Sequence, residues 1–297
     1  MLNLRQVEVF YAIMRTGTIT GAARVLNVTQ PAVSAALKQL EARMKMKLFD
    51  RVGGRLQATP EAKALLPDVA EIFGRIGAVE RLSQDLAGGA RGVFSIAATP
   101  PLCDGFVAKA VATFVARRPG VKVGLQSIAS SVVLDRVINR EVDLGVVYEP
   151  VVSAAVEVEK LSAATIGCIM PAKHALAKRR AVRVTDLAAH PVITYLPQAL
   201  LRPYIDRALS ARKSELNIAV ETGTAATAIM LAAQGAGIAL VETTLFSARP
   251  IEGFVMRPLE PRVQLKILLL RPRQGAASRI LADFTAHLRR TFPRPAP

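Results

Sequence analysis

Residues 28–41 read VTQPAVSAALKQLE, and this stretch constrains the fold more than any other. Proline is harmless in the first turn of a helix, because the first four N–H groups have no partner inside the helix. Pro31 therefore marks a helix start, with Thr29 as the predicted N-cap. Val33, Leu37, Leu40 and Met44 then share one face, which predicts the buried side. Gln30, Ser34 and Lys38, spaced by four, share another, with Pro31 and Ala35 beside them. That outward face is short, polar and thin. A helix that enters a DNA major groove has this profile: small residues for close approach, an amide for a base edge, a cation for phosphate. A small helical domain with one solvated face has the same periodicity, so the flanking sequence decides.

Upstream, Asn3 predicts a cap for a helix that buries Leu4, Val7, Phe10, Ile13 and Met14, closed by Gly17. Thr18 or Thr20 caps a second helix, GAARVLN, whose Ala22 and Ala23 permit close approach of another helix. The pair predicts a helix-turn-helix with the opening stretch as reader. Downstream, LFDRVGGRLQATP reads as a hairpin turning at Gly53-Gly54. Arg51 and Arg55 straddle that turn and place cations on a wing that lies along the DNA backbone or minor groove. Thr29, Gln30, Pro31, Ser34, Lys38, Arg51 and Arg55 are the predicted DNA contacts.

From Glu61 to Leu86 the apolar residues Leu65, Val69, Ile72, Ile76, Val79, Leu82 and Leu86 step by four and three. A 3.5-residue repeat predicts a coiled-coil dimer seam; an amphipathic helix packed on its own domain is the alternative. AGGARG, Ala87 to Gly92, reads as a hinge. Beyond it the texture becomes strand–helix alternation (VFSIAAT, FVAKAVATFVARR, VKVGLQS, SVVLDRVINRE, DLGVVY and onward to a last helix near Ala276–Thr291), which predicts a parallel sheet covered on both faces. The PRPAP tail reads as frayed.

Ligands of open α/β sheets lie beyond the carboxyl ends of the strands. Those ends predict Thr99, Pro100, Ser130, Ser131, Tyr148, Tyr195, Thr222 and Thr224 as effector-binding residues. Ser130, Ser131 and Thr224 each precede a helical run, where a hydroxyl and free backbone N–H groups grip a carboxylate. Plain N-capping explains each hydroxyl singly; their recurrence at one rim favours a site. Tyr148 and Tyr195 are expected as flat walls with hydroxyl tips.

The formal net charge of +16 is spread unevenly. Residues 1–66 carry 10 Lys/Arg against 4 Asp/Glu, residues 67–90 carry 2 against 4, and residues 91–297 carry 27 against 15. Such a surface favours polyanions or anionic ligands. No run approaches the roughly 18–20 apolar residues of a membrane span and no signal-peptide layout opens the chain, which predicts a cytoplasmic protein without membrane association. Cys103 and Cys168 show no metal spacing and no disulfide framework; both read as buried thiols. His174, His190 and His287 are scattered in sequence, and no cofactor or metal is predicted. GAGIAL, Gly235 to Leu240, follows a helix and enters a strand, the reverse of a dinucleotide fingerprint. KRRAVR, Lys178 to Arg183, reads as a solvated loop face.

In order and spacing, LRQVEVF, GTITGAARVLNVTQPAVSAALKQLE, LFDR and GGRLQATPEA resemble the winged helix-turn-helix of LysR-type transcriptional regulators. REVDLGVV and AAQGAGIALV resemble two signatures of that family's effector domain, and MLNLRQVEVF, TPEAKALL and SSVVLDRV resemble its octopine- and nopaline-sensing branch. Many relatives carry a bulky or basic residue just after the serine of the reading helix; Ala35 and Ala36 stand here, so Gln30, Ser34 and Lys38 carry more of the readout. Glu242 stands where relatives often have proline.

The resemblance implies a mixed fold. An all-α winged helix-turn-helix (1–60) is followed by a linker helix and hinge (61–90), then by a two-lobed α/β periplasmic-binding-protein-like domain (91–297). Its lobe 1 spans about 91–162 plus 266–297 and its lobe 2 about 163–265. The implied partners are double-stranded operator DNA, a small-molecule effector, a second copy of the chain in a homodimer that doubles to a homotetramer, and RNA polymerase if the protein activates. A ligand-gated transcription factor is the leading function. An architectural DNA binder without a ligand, and an enzyme tethered to DNA, are the competing classes; no acid/base pair or nucleophile constellation supports the second.

Overall fold

Asn3 accepts the N–H of Arg5 at 2.9 Å and starts α1 (Leu4–Thr16), which Gly17 closes at a left-handed φ of 69°. The computed structural model describes residues 3–52, 55–87, 92–210, 216–273 and 278–292. The Gly53-Gly54 turn, most of the hinge stretch and the tail predicted above lie outside them. The chain divides into two compact units, Met1–Ser83 with Ile138–Glu141, and Gln84–Val137 with Val142–Pro297.

In the first unit, Thr18 rather than Thr20 caps α2 (Ile19–Val25), accepting the N–H of Gly21 at 3.0 Å. Asn27, at φ 54°, turns the chain into α3 (Gln30–Met44). Thr29 takes the N-cap backbone conformation, but its side chain makes no capping bond, contrary to the sequence expectation. Pro31 is the second helical residue and has no N–H, which removes one of the two donors a capping hydroxyl would accept. Val33, Leu37 and Leu40 are buried with Phe10, Ile13 and Ala22. The Glu41 carboxylate accepts the N–H groups of Leu48 (2.8 Å) and Phe49 (3.2 Å), fixing the chain's exit from α3. β1 (Phe49–Val52) and β2 (Arg55–Ala58) pair antiparallel, as a wing requires.

α4 (Pro60–Ala87) runs 28 residues through an internal Pro67. The sequence treats it as a separate linker with one continuous seam. Its first half instead packs on the N-terminal core: Ala62, Val69 and Ala70 are buried there, with Leu65, Leu66 and Phe73 partly buried against them. Val69 is 9% exposed, so it serves this core and is unavailable as a free seam residue; Leu65 is partly covered the same way. Ile72 (46%) and Val79 (66%) remain exposed, with Ile76 between them half-buried. Leu82 and Leu86 have side chains outside the description.

The second unit opens with β3 (Val93–Ala98), the short α5 (Pro100–Leu102), α6 (Ala108–Val115), β4 (Lys122–Ser127), α7 (Ser130–Ile138) and β5 (Leu144–Tyr148). β6 (Val156–Pro171), β7 (Val182–Arg183), β8 (Val192–Tyr195), α8 (Arg202–Ser210) and β9 (Ile218–Thr222) follow. Then come α9 (Ala225–Ala233), β10 (Ile238–Glu242), α10 (Thr244–Ala248), β11 (Phe254–Glu260), β12 (Gln264–Pro272) and α11 (Arg279–Thr291). The main strand order is β4-β3-β5-β12-β6-β10-β8-β9, with β11 attached to β6 and β7 to β11.

The sheet is mixed, not parallel as predicted. β3 is parallel to β4 and β5, and β8 to β9 and β10, but β12 and β6 run antiparallel to each other, β12 also to β5 and β6 to β10. β6 links the two half-sheets. Its residues 156–165 pair with β12, while residues 166–171 face β10 and β11. The GAGIAL stretch has a structural task here: at Gly237 (φ 146°) a Cβ would lie 2.3 Å from the Pro191 carbonyl, so only glycine admits this approach of β10 to β8.

Candidate DNA-reading surface and effector cleft

On α3, Gln30, Pro31, Ala35 and Lys38 are exposed, and Thr29 at its cap is exposed with a hydroxyl not spent on capping. Ser34 is half-buried, flanked by the buried Val33, and is less prominent than its spacing implied. Arg51 is exposed on β1; Arg55 opens β2, and its side chain lies outside the description. The thin polar face expected of a reading helix is therefore present.

In the second unit a cleft of about 430 Å³ lies at the carboxyl ends of β3, β4, β5, β8 and β9. It brings together Thr99, Pro100, Ser130, Ser131, Tyr148, Tyr195 and Thr224, seven of the eight predicted effector residues. Thr222 is not among its walls: it sits in register with Tyr195 at the end of β9, and its carbonyl accepts the Leu196 N–H at 3.0 Å. The sequence reading missed Gln198, Leu200 and Leu201, which line the cleft from the loop after β8. That loop is pinned by Arg202, which donates to the Tyr195 carbonyl at 2.7 Å and pairs with Asp206 (2.7 Å) and Glu221 (2.6 Å).

The hydroxyls divide into two kinds. Thr224 is an ordinary cap: its Oγ1 accepts the Thr227 N–H at 3.1 Å and starts α9. Thr99 Oγ1 and Ser130 Oγ are buried and have no hydrogen-bond partner among the described residues. Buried polar groups without partners cost about 1–3 kcal/mol each, and both residues line this cleft. The first turns of α7 and α9 open onto the same cleft through Ser130, Ser131 and Ala225. Their free N–H groups and dipoles favour a negative charge. Among the described residues neither a cation nor a carboxylate lines the cleft.

Tyr148 and Tyr195 contribute to the cleft, and the hydroxyls of both meet Glu242. Tyr148 Oη donates to Glu242 Oε2 at 2.7 Å, and Tyr195 Oη accepts the Glu242 N–H at 3.2 Å. Glu242 is fully buried, and Oε2 also accepts the Thr244 N–H at 2.8 Å. Burial pushes the Glu242 carboxyl above its ordinary range, against the hydrogen bonds from Thr244 and Tyr148. Burial, then the neighbouring Glu242, drives both phenols well above theirs.

Both thiols are buried and free, as expected, and burial pushes Cys168 up to about 12. The histidines are less scattered than their sequence positions imply: His174 and His190 meet edge to face at 4.8 Å. Among the described residues no group of three or more His, Cys, Asp or Glu could hold a metal, and no helix is long and apolar enough to cross a membrane. In KRRAVR, residues 178–180 are exposed and Arg179 pairs with Asp186 (3.0 Å), but the stretch is not all solvated loop: Val182 is buried and forms β7 with Arg183, which pairs with Glu260 (3.6 Å).

Two family models match in tandem: the bacterial regulatory helix-turn-helix protein, lysR family, over residues 4–63, and the LysR substrate binding domain over residues 87–293. The chain is 30% identical to the regulatory protein NocR of Agrobacterium fabrum over 291 residues, 97% of this chain and 96% of that one. It is 30% identical over 285 residues to the octopine catabolism/uptake operon regulatory protein OccR of Rhizobium meliloti, covering 95% and 94%. The fold is similar to that of full-length OxyR from Pseudomonas aeruginosa (TM-score 0.71, 15% identity, 98% of this chain and 94% of that one). It is also similar to full-length CbnR complexed with its target DNA (TM-score 0.67, 19% identity, 98% and 100%). The chain thus belongs to the LysR family, as a DNA-binding transcriptional regulator with an effector-binding domain.

Proposed function

We propose that this regulator is gated by a small organic anion, an amino acid or an opine-like conjugate, held in the cleft of the second unit. The pair of buried, unpartnered hydroxyls on Thr99 and Ser130 carries the reading. A carboxylate placed between them would satisfy both and would meet the first-turn N–H groups of α7, a combination worth roughly 1.5–3 kcal/mol per charge-assisted bond. Gln198 and the α9 start would meet the far end of the ligand, with Leu200 and Leu201 against its apolar part. The similarity to OccR, whose name ties it to octopine, supports the opine class.

In this reading α3 lies in the major groove with Thr29, Gln30, Pro31, Ser34 and Lys38 toward the DNA, while Arg51 and Arg55 hold the backbone from the wing. The protein works in the cytoplasm. Ile72, Ile76 and Val79 of α4 seat a second copy in a homodimer, and two dimers form the homotetramer. The domain bounds are 1–60, 61–90 and 91–297, with lobes near 91–162 plus 266–297 and 163–265. Closure of the lobes on the anion changes how the DNA-reading helices are presented, by the differential affinity of the ligand for the two arrangements, typically about 1–3 kcal/mol.

Isothermal calorimetry of the full chain against octopine, other amino-acid conjugates and aromatic acids tests the reading. Saturable binding by the parent that weakens at least tenfold in Ser130→Ala is the expected result. Binding left unchanged by both Ser130→Ala and Thr99→Val would place the site elsewhere.

A further inference from the structure

Glu242 is a carboxyl where carboxyls are rarely found. It ends β10, is 0% exposed, and among the described residues Oε1 has no hydrogen-bond partner. Around it β5 presents Tyr148, β8 presents Tyr195, β6 presents Ile166 in register, and α10 presents Thr244. The titratable neighbours are thus two phenols, and among the described residues no Lys, Arg or His forms an ion pair or hydrogen bond with Glu242. The hydrogen bonds from Tyr148 and Thr244 favour the carboxylate, but full burial without a cation outweighs them, and taking up a proton relieves the cost. Both tyrosines also line the cleft, so Glu242 is joined to its floor through the Tyr148 hydroxyl at the carboxyl and the Tyr195 hydroxyl at the backbone N–H.

We propose that Glu242 is a specificity-setting positioning residue: as a proton-bearing acid it joins Tyr148 to the end of β10, and the cleft's hold on an anionic ligand weakens as Glu242 ionises. The coupling rests on the anion-binding reading of the cleft. An anion seated above the floor repels a carboxylate joined to that floor and tolerates a carboxylic acid. Binding and protonation therefore favour each other by the same factor. The direction of the Glu242 shift agrees with an acid held neutral above the ordinary range.

The sign is fixed by linkage. Below the ordinary value of 4.5 both the folded and the unfolded chain carry the proton, and pH has no effect through this group. Above it the unfolded chain loses the proton first, so rising pH removes stability from the parent until Glu242 itself ionises in the fold. Glu242→Gln keeps an acceptor for Tyr148 and Thr244 but has no proton to lose.

The test uses the full chain and Glu242→Gln in two arms. In the ligand-free arm, melting temperatures from pH 5 to 9 should fall for the parent relative to Glu242→Gln as pH rises. The same difference at every pH would overturn the proposal. Should the variant fail to fold, the infrared carbonyl stretch of the parent reports the same proton, and no protonated carboxyl surviving above pH 6 would overturn it. In the binding arm, octopine and benzoate are titrated calorimetrically over the same range. The parent's affinity should fall by up to about tenfold per pH unit across the ionisation of Glu242, with proton uptake on binding, while that of Glu242→Gln stays flat. A flat parent profile would overturn the coupling. If neither probe binds, the anion reading of the cleft falls and the coupling with it, while the ligand-free arm still reports the Glu242 proton.

Discussion

Thr99→Val removes a hydroxyl whose oxygen is buried and unpartnered in a residue 6% exposed, and replaces it with a methyl of similar size. In the ligand-free chain that hydroxyl has lost its water and gained nothing, a penalty of about 1–3 kcal/mol. Valine therefore should stabilise the ligand-free protein by roughly 1–2 kcal/mol, once a small loss for imperfect shape is allowed. For a domain of this size that corresponds to a melting temperature about 2–8 °C higher. With ligand the sign reverses. A charge-assisted bond from the threonine hydroxyl to a carboxylate is worth about 1.5–3 kcal/mol, so the variant should bind roughly ten- to a hundredfold more weakly. One substitution that raises stability and lowers affinity is the signature of a group held in reserve for a ligand. Thermal unfolding by circular dichroism measures the first quantity and calorimetry the second. If Thr99→Val destabilises the ligand-free chain, the hydroxyl has a structural partner. If it stabilises the chain and leaves affinity unchanged, the strain is real but has nothing to do with binding.

Gln30→Ala should weaken binding to the cognate operator by about 1–3 kcal/mol with little change on random DNA, read by electrophoretic shift; equal losses on both would remove the amide from base readout. Arg51→Ala should weaken binding to all sequences and reduce the slope of log K against log salt by about one, and an unchanged slope would take Arg51 off the phosphates. Ile72→Lys with Val79→Lys should reduce the sedimenting mass while the melting temperature holds, because both side chains are exposed in the single chain. Val69→Lys should unfold the first unit instead, since it forces a charge into the core; a folded but smaller species would return Val69 to the seam. Thr224→Ala should cost about 1 kcal/mol of stability through the lost cap of α9, opposite in sign to Thr99→Val, and no loss would mean the capping bond carries no weight.

The two threonines show why some of the site was legible in the sequence and some was not. Local rules placed Thr99, Ser130 and Thr224 at strand ends because a hydroxyl before a helical run has few other places to be, and the cleft gathers all three. The same rules could not sort them, since a capping hydroxyl and an idle one look alike until donors and acceptors are counted in three dimensions. Tyr148 and Tyr195 do line the cleft, but their hydrogen bonds with Glu242 could not be read, because Glu242 comes from β10, 94 and 47 residues away. Distance along the chain explains the sheet as well. The strand–helix rhythm identified β3, β4, β5, β8, β9 and β10, each of which has a parallel neighbour. It gave the second half of β6, ATIGCIM, but missed the first, VEVEKLS, and with it the antiparallel pairing to β12. The apolar steps of α4 were read as one seam, yet Val69 and Ile72, three residues apart, end up in a core and in solvent respectively. A period of 3.5 states which residues share a stripe; it does not state which partner covers each part of the stripe. Where the first half is already covered by the chain's own N-terminal core, only the stretch from Ile72 onward is left for a second copy, and the dimer contact should be sought there.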